Sequence, residues 1–218
     1  MAERRADHED FSVTLRGHFN PSIFSPGWLL ANEIITELES EQANVQMIHP
    51  QVCSFNAAGI DVNVSPTEFR LWINSVALLD PLNDMFQGIW TKLPHTPVQL
   101  AELDHNRHYR LNAEEGDAAW GALESGGASA VKGAAGPEGE MLVQKMAAFS
   151  DPEGRYSLSL QPCNRFSKGM DIRIESRVPN PENGNAGTIL DDVLSQWEQN
   201  QQWARSTSAS VIANLTRS

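Results

Sequence analysis

Phe11, Val13 and Leu15 alternate with polar residues, the period-2 pattern of a strand with one buried face, and Asn20-Pro21 ends the run. Ser25 followed by Pro26 supplies an N-cap and a favoured first helical residue, and Leu30, Ile34 and Leu38 then recur every fourth position. The spacing predicts a helix over about 26–40. Alternation returns afterwards: Val45, Met47, Val52 and Phe55 read as one strand, Ile60, Val62 and Val64 as a second, Phe69, Leu71 and Ile73 as a third. Ala57-Ala58-Gly59 and Ser65-Pro66-Thr67 separate them as turns, so an antiparallel meander is expected. Asp80-Pro81 opens a further helix in the same cap-then-proline manner, with Leu82, Phe86, Ile89 and Leu93 on one face and Pro94 as its stop. The first half thus reads β-α-β-β-β-α.

The second half follows the same order. Val98 to Leu111 reads as a strand, and Asn112 with Glu115 three residues on is a capping box for a helix through Trp120 and Leu123. Residues 125–140, SGGASAVKGAAGPEGE, show no hydrophobic period and read as a Gly/Ala-rich loop. Three strands are then expected: Met141 to Phe149; Tyr156, Leu158 and Leu160; Ile172, Ile174 and Val178, with Pro152-Glu153-Gly154 as a turn. Thr188 is read as the cap of a long C-terminal helix containing Ile189, Val193 and Trp197 and continuing through Val211 and Leu215. Asn20 to Trp28 and Asn112 to Trp120 are both eight residues apart, and Asp84 to Trp90 and Asp191 to Trp197 both six, at corresponding elements. These matches predict an internal duplication related by a pseudo-twofold axis. The expected organisation is a flexible arm over 1–9, a β-α-β-β-β-α repeat over 10–94 and a second repeat over 95–218. The fold class is α+β, antiparallel sheet or sheets covered by helices.

Composition narrows the function. A chain of 218 residues with 40% hydrophobic and 20% charged residues, six Trp and eight Phe is expected to bury a packed core. No apolar run reaches the roughly 20 residues of a membrane helix, and the charged start MAERRADHED has no hydrophobic stretch behind it, so a cytoplasmic protein is expected. The formal charge of −12, from 28 acidic against 16 basic residues, argues against direct nucleic-acid contact, which depends on clustered Lys and Arg. Cys53 and Cys163 stand far apart and form no CxxC pair, so both are expected as buried thiols.

Candidate chemistry is sparse. Asp104-His105-Asn106-Arg107-His108 gathers polar side chains, but positions 105 and 108 of a strand face opposite sides, and a polar edge or surface face is the plainer expectation. His18, His49 and His95 are isolated in sequence. No nucleophile elbow, phosphate loop or H-E-x-x-H pair occurs. Glu114-Glu115 and Asp191-Asp192 sit at helix starts, where the dipole accounts for them. No catalytic, cofactor-binding or metal-binding residue is therefore expected. Trp28, Trp90, Trp120 and Trp197 read as core or as the lining of a cleft. The last helix, through Trp197, Trp203, Val211 and Leu215, is the expected partner-binding stripe.

The strings FNPSIFSPGWLL (Phe19 to Leu30), Ile48-His49-Pro50 and HTPVQLAELDHNRHYRL (His95 to Leu111) resemble an uncharacterised family of bacterial proteins with an FNPxIFxPxW start and an HTPxxxLxxN middle segment. The likeness covers the first half well and the rest loosely. It implies a bacterial origin, a reproducible fold and an association with defence or mobile-element loci, and it transfers no catalytic residue. The function expected is a non-catalytic protein-binding or assembly subunit of a bacterial cytoplasmic complex, its partner another protein chain or a second copy of itself. The alternatives are a small-molecule sensor with a Trp-lined cleft between the repeats, and an enzyme assembled from dispersed histidines and acids including His49, His95 and His105.

Overall fold

A computed structural model describes residues 4–124, 141–144, 146–150, 155–166, 169–180 and 184–216. The Gly/Ala-rich loop expected over 125–140 and the turn at Pro152-Glu153-Gly154 lie outside the described residues. The fold is α+β, with antiparallel strands and helices. Two compact units divide the chain: Asp10–Leu103 with Val178–Gln196, and Met1–Glu9 with Asp104–Arg177 and Trp197–Ser218. No helix among the described residues is long and apolar enough to cross a membrane.

The first unit contains most of β1 (His8–Gly17), then α1 (Pro26–Ala31), α2 (Glu37–Glu41), β2 (Asn44–His49), β3 (Val52–Ala57), β4 (Ile60–Val64), β5 (Glu68–Ile73), a 3-10 turn (Val76–Leu78) and α3 (Leu79–Lys92). Its strands lie in the order β2-β3-β4-β5-β1. The period-2 pattern sets the register: Phe55 faces Val62, Val62 faces Leu71, and Leu71 faces Val13, a row of buried side chains across four strands. Leu82, Phe86, Ile89 and Trp90 on α3 are buried as well, and the Trp90 ring meets Phe69 edge-on at 4.7 Å. The alternate positions are polar: Ser54 donates to Asn63 Oδ1 at 2.8 Å and Asn56 to Asp61 Oδ1 at 3.0 Å.

Three local expectations change here. The helix predicted over 26–40 is two helices, because α1 ends at Ala31, Glu33 takes φ of 61°, and Thr36 and Glu39 form a capping box that starts α2 afresh. Asp80 does not cap α3, which begins at Leu79 directly after the turn headed by Ser75; its carboxylate instead lies in the first turn, where the helix dipole favours it. The strand expected over Val45 to Phe55 is a hairpin, β2 and β3, folded about Pro50-Gln51.

The second unit contains most of β6 (Val98–Arg110), α4 (Ala113–Glu124), β7 (Met141–Gln144), β8 (Met146–Ser150), β9 (Tyr156–Pro162), most of β10 (Gly169–Pro179) and the distal part of α5 (Ala186–Leu215). Its strand order is β6-β10-β9-β8-β7. Tyr109, Leu158, Leu160, Ile172 and Ile174 from the strands pack with Ala204, Val211, Ile212 and Leu215 of α5 in one core. The Asn112 and Glu115 capping box forms as expected, each side chain 2.9 Å from the other's backbone nitrogen. Thr188, by contrast, is not the cap of α5: Asn185 Oδ1 accepts from the Thr188 nitrogen at 3.1 Å, and Thr188 Oγ1 accepts from the Asn185 nitrogen at 3.0 Å, so the cap lies three residues earlier. The strand expected over Met141 to Phe149 is again a hairpin, with Met141 opposite Phe149. Each half therefore reads β-α-β-β-β-β-α once α1 and α2 are counted as one helical segment, one strand more than the alternation predicts.

The described part of the 1–9 arm is held rather than loose. Arg4 pairs with Glu115 at 2.7 Å, and Asp7 joins β6 through its nitrogen to the His108 carbonyl and through its carboxylate to the Arg110 nitrogen.

Candidate functional site

Two places in the fold differ from a plain core-and-surface arrangement. The first is β2, which ends the strand order of its unit and has all six residues exposed. Val45 lies opposite Phe55 and Ile48 opposite Cys53, both buried, so Val45 and Ile48 belong to the apolar side of the sheet. Yet they are 47% and 55% exposed, because the helix that precedes them, α2, buries no residue. Met47, opposite Ser54 across a bulge, is 50% exposed, and Leu38 of α2 60%. Four of the five large hydrophobic side chains exposed among the described residues thus lie in α2 or β2. The strand NVQMIH carries no Lys, Arg, Asp, Glu or Pro, the residues that ordinarily keep a sheet edge from pairing.

The second place is a buried polar cluster. His108 on β6, Cys163 just after β9 and Asp171 on β10 are all buried, and their ligand atoms lie within 4.8 Å of one another. His108 Nδ1 is 2.6 Å from Asp171 Oδ1 and 3.7 Å from Cys163 Sγ. Backbone geometry places them: the Cys163 nitrogen donates to the Gly169 carbonyl at 3.0 Å, and a side chain at 169 would meet the Cys163 Cβ and the Tyr109 carbonyl at 2.8 Å. Glycine at 169 lets the three segments close on one another. His8, partly exposed, brings its ring to 5.4 Å from that of His108. Asp171 and Cys163 both approach the same imidazole nitrogen, which is not the relay of a nucleophile and an orienting acid on opposite ring nitrogens.

The residues singled out by sequence fall elsewhere. His105, Arg107 and His108 are buried, so the 104–108 segment is no surface face; the expectation that 105 and 108 face opposite sides agrees with His105 beside Arg107 and Arg205 and His108 beside Asp171. Arg107 is tied to Glu9 at 2.8 Å and to the Arg205 carbonyl and Ser208 hydroxyl of α5 at 2.9 and 3.0 Å. His49 and His95 are exposed. Trp90 is fully buried, Trp28 half-buried at an edge-on contact with Phe24, and Trp120 and Trp203 half-buried against the second core. The expected partner stripe on α5 is largely not a surface: Val211 and Leu215 are fully buried in that core and Trp197 is buried, because this amphipathic helix turns its apolar face inward. Trp203 packs its ring 4.9 Å from Tyr156.

The polar positions also form an open depression of about 340 Å³ lined by Gln46, Asp61, Asn63, Arg70 and Trp72. No protein-family model matches the chain, and comparison with curated proteins gives no match either.

Proposed function

We propose that this protein is an assembly subunit whose β2 strand pairs with β2 of a second copy across a twofold axis. The carrying observation is the exposed, uncharged, apolar β2 at the end of its strand order. Such an edge templates a further strand, with backbone hydrogen bonds giving affinity and alternate side chains giving specificity. Antiparallel pairing of a strand with itself places identical residues about a dyad, and Asn44–His49 contains no formal charge that would repel its own copy. Val45, Met47 and Ile48 would each lose apolar surface to water on pairing, at about 25 cal/mol per Å². A bacterial origin rests on the family resemblance alone, the assembly role rests on the β2 edge, and the shared β-α-β-β-β-β-α order of the two halves supports their origin by duplication.

Light scattering after gel filtration tests the pairing. The wild-type chain is expected at twice its 24.1 kDa mass, and Met47→Lys and Ile48→Lys as monomers. Below the dimer dissociation constant their melting temperatures should stay near wild type, since exposed substitutions cost within about 0.5 kcal/mol, while at higher concentration only the wild type gains stability by association. A wild-type monomer at every concentration, or lysine variants that remain dimers, overturns the reading.

A further inference from the structure

The geometry points to a divalent metal site of the zinc class at His108, Cys163 and Asp171, in the unit that does not contain β2. The donor set is an imidazole nitrogen, a thiol sulfur and a carboxylate oxygen, which suits a borderline-soft ion and disfavours the hard cations that prefer all-oxygen shells. With metal-ligand bonds of about 2.0–2.3 Å, ligand atoms on a tetrahedral ion stand roughly 3.3–3.7 Å apart. The 3.7 Å between His108 Nδ1 and Cys163 Sγ meets that spacing as it stands. The 2.6 Å between Nδ1 and Asp171 Oδ1 is a closed hydrogen bond, and a rotation of the carboxylate opens it.

Charge supports the assignment. One divalent ion, one thiolate, one carboxylate and a neutral imidazole sum to zero, so the loaded site buries no net charge, where an ion without anionic ligands would be prohibitively costly. Cys163 would bind as the thiolate and His108 through Nδ1 as the neutral imidazole. For the fourth position, two imidazoles on one tetrahedral ion have ring centres about 5 Å apart by the same bond lengths. His8 and His108 stand at 5.4 Å. His8 is thus the neighbouring imidazole placed to supply the fourth ligand.

Cobalt(II) serves as the probe, because a thiolate ligand gives it a sulfur-to-metal charge-transfer band and tetrahedral coordination gives intense visible bands. Titration of the chelator-treated full chain is expected to reach one equivalent with both features, and zinc(II) should displace the cobalt and raise the melting temperature of the wild type. Cys163→Ser abolishes the charge-transfer band. Asp171→Asn, which keeps the side-chain shape should the serine variant misfold, weakens binding by more than the roughly 10–100-fold that loss of an outer-shell partner costs. Cys53→Ser leaves the spectrum unchanged, because Cys53 is a separate buried thiol bonded to the Phe24 carbonyl. Absence of stoichiometric cobalt binding by the wild type overturns the proposal, as does a spectrum and affinity that both substitutions leave intact.

Discussion

His105 lies on the buried side of β6, and its charge state follows from what surrounds it. Burial penalises the imidazolium first, and the guanidinium groups of Arg205 and Arg107 add to the penalty, so its pKa falls from the ordinary 6.5 to about 3. The residue is neutral in the folded chain at neutral pH and regains its ordinary pKa on unfolding. Between these values the unfolded chain binds the extra proton, so His105 leaves stability intact above pH 6.5 and removes it as pH falls towards 3. The upper bound over that whole window is roughly 4–5 kcal/mol at about 1.4 kcal/mol per pH unit. Urea midpoints of the wild type should therefore drop between pH 7 and pH 5 more than those of His105→Gln, which cannot titrate. Parallel declines would mean that His105 takes up its proton without unfolding. The neighbouring Arg107 is paired with Glu9 and with acceptors on α5, a set of partners drawn from both ends of the chain.

At the scale of elements, α5 and β2 exchange the roles that sequence patterning alone suggests for them. Spacing identifies α5 as amphipathic but says nothing of what its apolar face meets. Val211 and Leu215 of the expected stripe became core, with Trp203 packed half-buried against it, because β9 and β10 contribute Leu158, Leu160, Ile172 and Ile174 to the same cluster. Leu215→Ala should then lower stability by roughly 2–5 kcal/mol, the cost of a cavity in a packed core, without changing the association state of the folded fraction. Chemical denaturation with light scattering at zero denaturant separates the two effects; dissociation at unchanged stability would return α5 to the interface. In β2 the alternation of Val45 and Met47 was visible, and the turn at Pro50-Gln51 was marked by the proline and by the jump in apolar spacing from Ile48 to Val52, a signal the single-strand reading passed over. Caps written in side chains were legible where both partners are polar and three apart, as at Asn112 and Glu115, and misplaced by three where either partner could serve, as at Asn185 and Thr188.

For the whole molecule, the α+β class and the recurrence of one element order were legible because hydrophobic period is a local property. The polar cluster was not: His108, Cys163 and Asp171 carry no common spacing, and only the contact between Cys163 and Gly169 and the placing of β6 and β10 bring them together. Exposure was equally hidden, since the apolar residues of β2 look like those of any half-buried strand until α2 is seen to bury nothing. Net charge then bears on assembly in a way that distinguishes kinds of interface. Each copy carries a formal charge of −12, so two copies repel, and the uncharged β2 edge offers no ion pair in compensation. Salt shortens the Debye length from about 30 Å at 0.01 M to about 8 Å at 0.15 M and screens that repulsion, while burial of Val45, Met47 and Ile48 is untouched by screening. The dimer dissociation constant from sedimentation equilibrium should fall as salt rises through this range. An interface held by opposite charges would weaken over the same range, so a rising dissociation constant would place the contact on the charged strands, such as those carrying Arg16 with Glu102 or Arg173 with Asp104, rather than on β2.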